Sequence, residues 1–156
     1  MTSRSGMRAT APLLFILVLM AACATSRSGQ RIQHYVPTTK ALLPLGELYL
    51  SHTSLQFAGL EGQMTLDFVG IMPDSAGPDI AGSSIYRVKN ADAFFKKNSG
   101  KDAYCSEKPL WVAVNSATGA PAWSSEIWVG LLTLPDWAKF IHAQDRVCLG
   151  GDYRRT

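Results

Sequence analysis

The order of residues predicts a mainly β domain, a small antiparallel sheet closing into a barrel or a sandwich, with one or two short helices. Three observations carry that expectation. Met64, Leu66 and Phe68 alternate without a fault with Gln63, Thr65 and Asp67, as in a strand with one face buried and one in water. Residues 110–114 and Glu126–Leu132 are short runs rich in Trp, Val, Ile and Leu, which suits more deeply buried strands. The connections are rich in Gly and Pro, notably residues 72–79 and 115–121, as expected of short strands joined by turns.

In chain order, residues 47–51 read as a first strand or as the start of the one that follows. Ser54–Phe57 alternates again, and a five-residue turn over 58–62 joins it to 63–68 as a hairpin. Ser84–Val88 is a further strand. Residues 91–97 hold about two helical turns. After the two apolar strands, Pro135 suits a first helical position and Asp136 complements the helix dipole. Trp137, Phe140 and Ile141 share a face, so a second helix is expected over 135–142. Residues 146–149 form a last strand, which Gly150 and Gly151 should end.

The N-terminus has a different character. Arg4 and Arg8 stand without an acid ahead of an apolar run over residues 11–22. That run is shorter than the roughly 20 residues a spanning helix needs. A basic flank, a short apolar core and small residues at its end form a secretory signal. The small residues lead directly into a cysteine, and Met20-Ala21-Ala22-Cys23 resembles the lipobox of bacterial lipoproteins. The resemblance implies removal of residues 1–22 and a diacylglycerol on Cys23, with a third acyl chain in many Gram-negative species. Each buried methylene contributes about 0.8 kcal/mol, so two or three chains hold a protein to a membrane. Ala24 is not the Asp that retains such proteins at the inner membrane, so the resemblance points to the outer membrane, facing the periplasm. The alternative is an ordinary signal peptide cut near Ala22. Residues 23–41 then read as lipidated terminus and flexible tether, with His34 solvated, and 42–156 as one globular domain.

Cys23, Cys105 and Cys148 are the three cysteines. With Cys23 lipidated and the chain in an oxidising compartment, Cys105 and Cys148 are expected to form a disulfide. A metal or redox pair is the alternative, but there is no Cys-x-x-Cys spacing and no histidine cluster.

Function is less legible. Removing Arg4 and Arg8 lowers the formal net charge from +3 to +1, and no basic patch of the kind nucleic acids require is visible. Lys96, Lys97 and Lys101, with Arg154 and Arg155, read as solvated surface. His34, His52 and His142 share no metal-ligand spacing, no Gly-x-Ser-x-Gly frame occurs, and Gly59-Leu60-Glu61-Gly62 lacks the lysine of a phosphate loop. No metal, cofactor or enzymatic activity is expected. An envelope hydrolase with a scattered site remains an alternative, through acids such as Asp67 with Glu107 or Glu126.

Aromatic residues give the remaining lead. Trp111, Trp128 and Trp137 fall in apolar segments and are expected in the core. Trp123 follows Pro121 in a polar loop and is the best candidate for a binding contact. The favoured reading is a binding or interaction module of the cell envelope, with an envelope protein or peptidoglycan as partner. Tyr104-Cys105 ahead of Leu110-Trp111-Val112 is faintly similar to a segment of periplasmic lysozyme-inhibitor lipoproteins, so an inhibitor of a cell-wall lytic enzyme is a further alternative. Here no residue separates the tyrosine from the cysteine and the following glycine is absent, so no inhibitory residue carries over.

Overall fold

The computed structural model describes residues 31–78, 80–101, 104–116, 124–139 and 146–156. Eight antiparallel strands form one closed barrel in which each strand pairs with its neighbours in sequence and the last pairs with the first. They are β1 (Gln33–Pro37), β2 (Leu48–Leu50), β3 (Ser54–Phe57), β4 (Met64–Ile71), β5 (Ser84–Val88), β6 (Trp111–Ser116), β7 (Glu126–Leu132) and β8 (Val147–Arg155). One α-helix, α1 (Ala91–Asn98), joins β5 to β6. Short 3₁₀ helices occupy Lys40–Leu45, Asp74–Ala76 and Trp137–Lys139. Among the described residues no helix is long and apolar enough to cross a membrane.

Alternation builds the interior. Tyr35, Leu48, Leu50, Leu55, Phe57, Met64, Leu66, Val112, Ile127, Val129 and Tyr153 point inward and are almost wholly buried. Gln56, Thr65, Asp67 and Arg87, between or beside them on their strands, are exposed. An apolar inside with a polar outer wall is the reverse of a bilayer-spanning barrel. Eight strands leave an interior that side chains can fill, and here large apolar groups occupy it. Leu42 and Leu45 of the first 3₁₀ helix, with Ala91 and Phe94 of α1, join the same cluster.

A second apolar cluster lies outside the barrel. Ile85, Trp111, Ala113 and Leu132 face outward from β5, β6 and β7, and Met72, Ala76, Ile80 and Leu134 from the flanking connections cover them. β6 and β7 are therefore buried on both faces over most of their length, which is why they read as continuous apolar runs. Trp128 lies against this wall. A Cβ at Gly130 would fall 2.2 Å from its ring, and one at Gly150 2.8 Å from it. Glycine is needed at both positions because the indole rests on the backbone itself.

Four expectations are corrected. The barrel begins at Gln33 rather than near Leu42, so residues 33–41, read as tether, supply β1 and the start of the first 3₁₀ helix. Five residues with one buried side chain are too short and too polar to stand out as a strand, and β1 forms through its ladders to β2 and β8. Gly150 and Gly151 do not end β8, which runs through both. Trp128 needs the space over Gly150, and a Cβ at Gly151 would sit 2.6 Å from Leu42. The turn between β3 and β4 is a residue longer than expected, because Gln63 stays outside β4. Finally, the second helix is a single 3₁₀ turn at Trp137–Lys139, and residues 140–145 lie outside the described set.

The disulfide joins Cys105 to Cys148, which lie 43 positions apart in sequence, with Cα atoms 5.3 Å apart. It ties the segment after α1 to the start of β8. Two asparagines fasten α1. Asn98 is fully buried; its Oδ1 accepts from the Glu61 N–H, and its Nδ2 donates to the carbonyls of Glu61 and Phe94. Asn90, ahead of α1, accepts from the Thr65 N–H and donates to the Gln63 carbonyl. Each satisfies backbone groups that β3 and β4 leave unpaired at their turn.

Closing a loop of this length stabilises the fold by about 4 kcal/mol in the chain-entropy account. A Cys105→Ser, Cys148→Ser double variant is expected to melt on the order of 10 °C lower by calorimetry, and an unchanged midpoint would show that the bridge contributes nothing to the folded state.

Candidate functional site

A recess lies on the outer wall, where the β5 and β6 ends meet the β7–β8 connection. It encloses about 590 Å³, within the range of small-ligand sites. Arg87, Val88 and Lys89 come from β5 and its exit, Ala91 and Asp92 from the first turn of α1, and Lys108, Leu110 and Trp111 from the entry to β6. Pro135, Asp136 and Trp137 form the opposite rim.

Each group is set by local structure. Trp111 is buried and its Nε1–H donates to the Leu134 carbonyl at 2.8 Å. The Arg87 guanidinium lies over its ring, 5.3 Å from the centroid, a cation–π arrangement that holds the arginine against the wall. Arg87 also stands opposite Asp67 in the β4–β5 ladder. Lys108 is paired with Asp92 at 2.6 Å. Lys89 is exposed. Trp137 is half-buried, and Gly70 makes room for it: a Cβ there would lie 2.7 Å from the indole. The recess thus presents one accessible indole, three cationic side chains and two acidic ones.

A second polar cluster lies on the outer face of β1 and β2, at the other end of the barrel. His34 Nε2 meets Glu47 Oε2 at 3.0 Å, Tyr49 Oη donates to the same oxygen at 2.9 Å, and Thr156 Oγ1 lies 2.9 Å from His34 Nδ1. The imidazole stacks flat on Tyr49, with centroids 4.7 Å apart. His34 was expected to be solvated in a tether; it is instead held in β1, because β1 pairs with β2 and sets His34 opposite Tyr49. The hydroxyl–imidazole–carboxylate order resembles a catalytic relay. Its members lie at the surface, with His34 half-buried between them, and they fasten β1 to β2 and to the end of β8. The Glu47 carboxyl is held below the usual carboxylate range, first by the Tyr49 hydrogen bond and then by His34.

The other expected groups are dispersed. Cys23, Trp123 and His142 lie outside the described residues. Asp67 is on β4, whereas Glu126 is on β7 and pairs with Arg154 at 3.1 Å; two strands separate them. Glu107 lies beside the disulfide in a smaller recess with Ser106, Thr133 and Arg146. Among the described residues no three metal-ligating side chains converge. Lys101 pairs with Glu61 at 3.2 Å, and Arg155 donates to Gln33, so these basic residues serve local structure. Burial raises the phenol groups of Tyr104 and Tyr153, whose hydroxyls have no partner among the described residues. Comparison with protein-family models, with curated proteins and with solved structures found no match.

Sequence reading placed Trp137 in the core and passed over Arg87, Lys89, Asp92 and Lys108. The only local signal was a change in the outward positions, with Arg87 and Lys89 following the apolar Ile85 on the same face.

A carboxyl held low in the folded state stabilises it above the ordinary glutamate value of about 4.3, and that contribution is lost as pH falls through the folded value. Denaturant titrations across pH 3 to 7 are expected to show a loss of stability below about pH 4 that is smaller in Glu47→Gln. An identical acid limb in both proteins would rule out a contribution from Glu47.

Proposed function

We propose that this protein is a lipid-anchored binding module of the cell envelope that holds its ligand in the recess between Arg87, Lys89, Lys108 and Trp137. The recess carries this reading: it joins an accessible indole to charged groups on a wall stiffened by ladders on both sides of β5 and β6. Rigid backbone beneath a few polar side chains is what a preformed binding site needs. The disulfide suits an exported domain, and the lipobox-like Met20-Ala21-Ala22-Cys23 supplies the anchor.

Two measurements test the two halves. Protein taken from its own membrane fraction is expected to have the mass of residues 23–156 plus acyl chains; an unlipidated mass would remove the anchor. A photo-reactive residue replacing Pro135, on the rim, is expected to give adducts in growing cells. The same probe replacing Gln56, exposed on β3, should not. Equal labelling at both positions would remove the recess as the binding site.

A further inference from the structure

Resting on that recess as the binding site, we infer that its ligand is a sugar bearing a carboxylate, with the ring on Trp137 and the acid toward Lys89 and Arg87. The charge distribution is the first reason. Of the three cations, Lys108 is already matched by Asp92 at 2.6 Å. Lys89 forms no ion pair among the described residues, and Arg87, which stands opposite Asp67 across the β4–β5 ladder, lies over Trp111 and lines the recess. The β5 side of the site is therefore cationic and takes an anion. The Lys108–Asp92 pair adds a donor and an acceptor side by side, the combination that adjacent hydroxyl groups can use.

The second reason separates a sugar from an acidic peptide. Peptides are held by adding a strand to a sheet edge or by seating side chains in apolar pockets. Here β5 and β6 are paired on both sides, so no edge is offered. The largest apolar side chain in the wall, Trp111, has Arg87 over its ring and its N–H committed to Leu134. What remains is a single flat indole set by Gly70, with polar groups around it. A sugar ring needs little else: its apolar face lies on the indole and its hydroxyls reach the charged rim.

The test compares N-acetylmuramic acid with N-acetylglucosamine, which share a ring and differ by a lactyl carboxylate. Both are titrated into the full lipidated chain in detergent and followed by calorimetry and ligand-observed magnetic resonance, with oligoglutamate as competitor. The acidic sugar is expected to bind about two- to fivefold tighter, the range of an exposed ion pair. Lys89→Gln, at an exposed position that leaves the fold intact, should abolish the difference and leave the neutral sugar unaffected. Trp137→Ala should weaken both sugars by about three- to tenfold, and Trp137→Phe should restore most of the loss. Equal affinity for the two sugars, or oligoglutamate binding tighter than either, would overturn the inference. If neither sugar binds while the Pro135 adduct persists, the inference falls and the binding-module reading stands; if the adduct is lost as well, both fall.

Discussion

Closure of the barrel by β1 on β8 is the constraint on which the remaining architecture rests. The pairing joins residues more than a hundred positions apart, Tyr35 with Arg155 and Pro37 with Tyr153, so its loop-closure entropy is met only when the intervening strands are in place. Open, the sheet would present two unpaired edges, and β1 would have one partner, the three-residue β2. Closed, it has no free edge along this seam. The seam is also where polar groups gather. Thr38 and Thr39 bond to Asp152, Arg155 reaches Gln33, and His34 joins Glu47 to Thr156. These contacts fix the register of a ladder that has little apolar surface of its own.

The outer apolar cluster has a different logic. A barrel of eight short strands can fill its interior from one face alone, and β3 and β4 do so with water on the other side. Over β5 to β7 the connections between Met72 and Ser83 and around Leu134 fold back and bury the second face. Close backbone approach makes this possible, with Trp128 lying on Gly130 and Gly150, and Trp137 on Gly70. The recess is the margin of that covered area, where the apolar wall gives way to Arg87, Lys89 and Lys108. Trp137 therefore packs against Gly70 and stays half-buried on the rim of the recess.

Much of the fold was legible because burial imposes a period. β3 and β5 show their alternation directly, as does β4 as far as Asp67, whereas Phe68, expected on the buried face, is exposed beside the register shift between Phe68 and Gly70; the apolar runs of β6 and β7 identify strands covered on both sides. The disulfide followed from cysteine count once the N-terminal cysteine was set aside. β1 was hidden because its stability comes from partners far away in sequence and from side-chain hydrogen bonds, neither of which leaves a local pattern. Gly150 and Gly151 misled because a glycine that yields to an indole looks, in sequence, like a glycine that ends a strand. The recess was illegible for a similar reason: its residues come from positions 87 to 137, and only the β5–β6 and β6–β7 registers bring them together.

The strand registers also give the barrel a polarity. Gln33, Glu126 and Arg155 share one end, while Pro37, Leu132, Trp111 and the exit of β5 share the other. The chain enters at the first end and the recess opens beside the second. The point where the chain joins the barrel and the wall that carries the recess are thus separated by the length of the strands. Substitutions at the Gln33 end can therefore alter the closing seam without touching the wall where Lys89 and Trp137 stand.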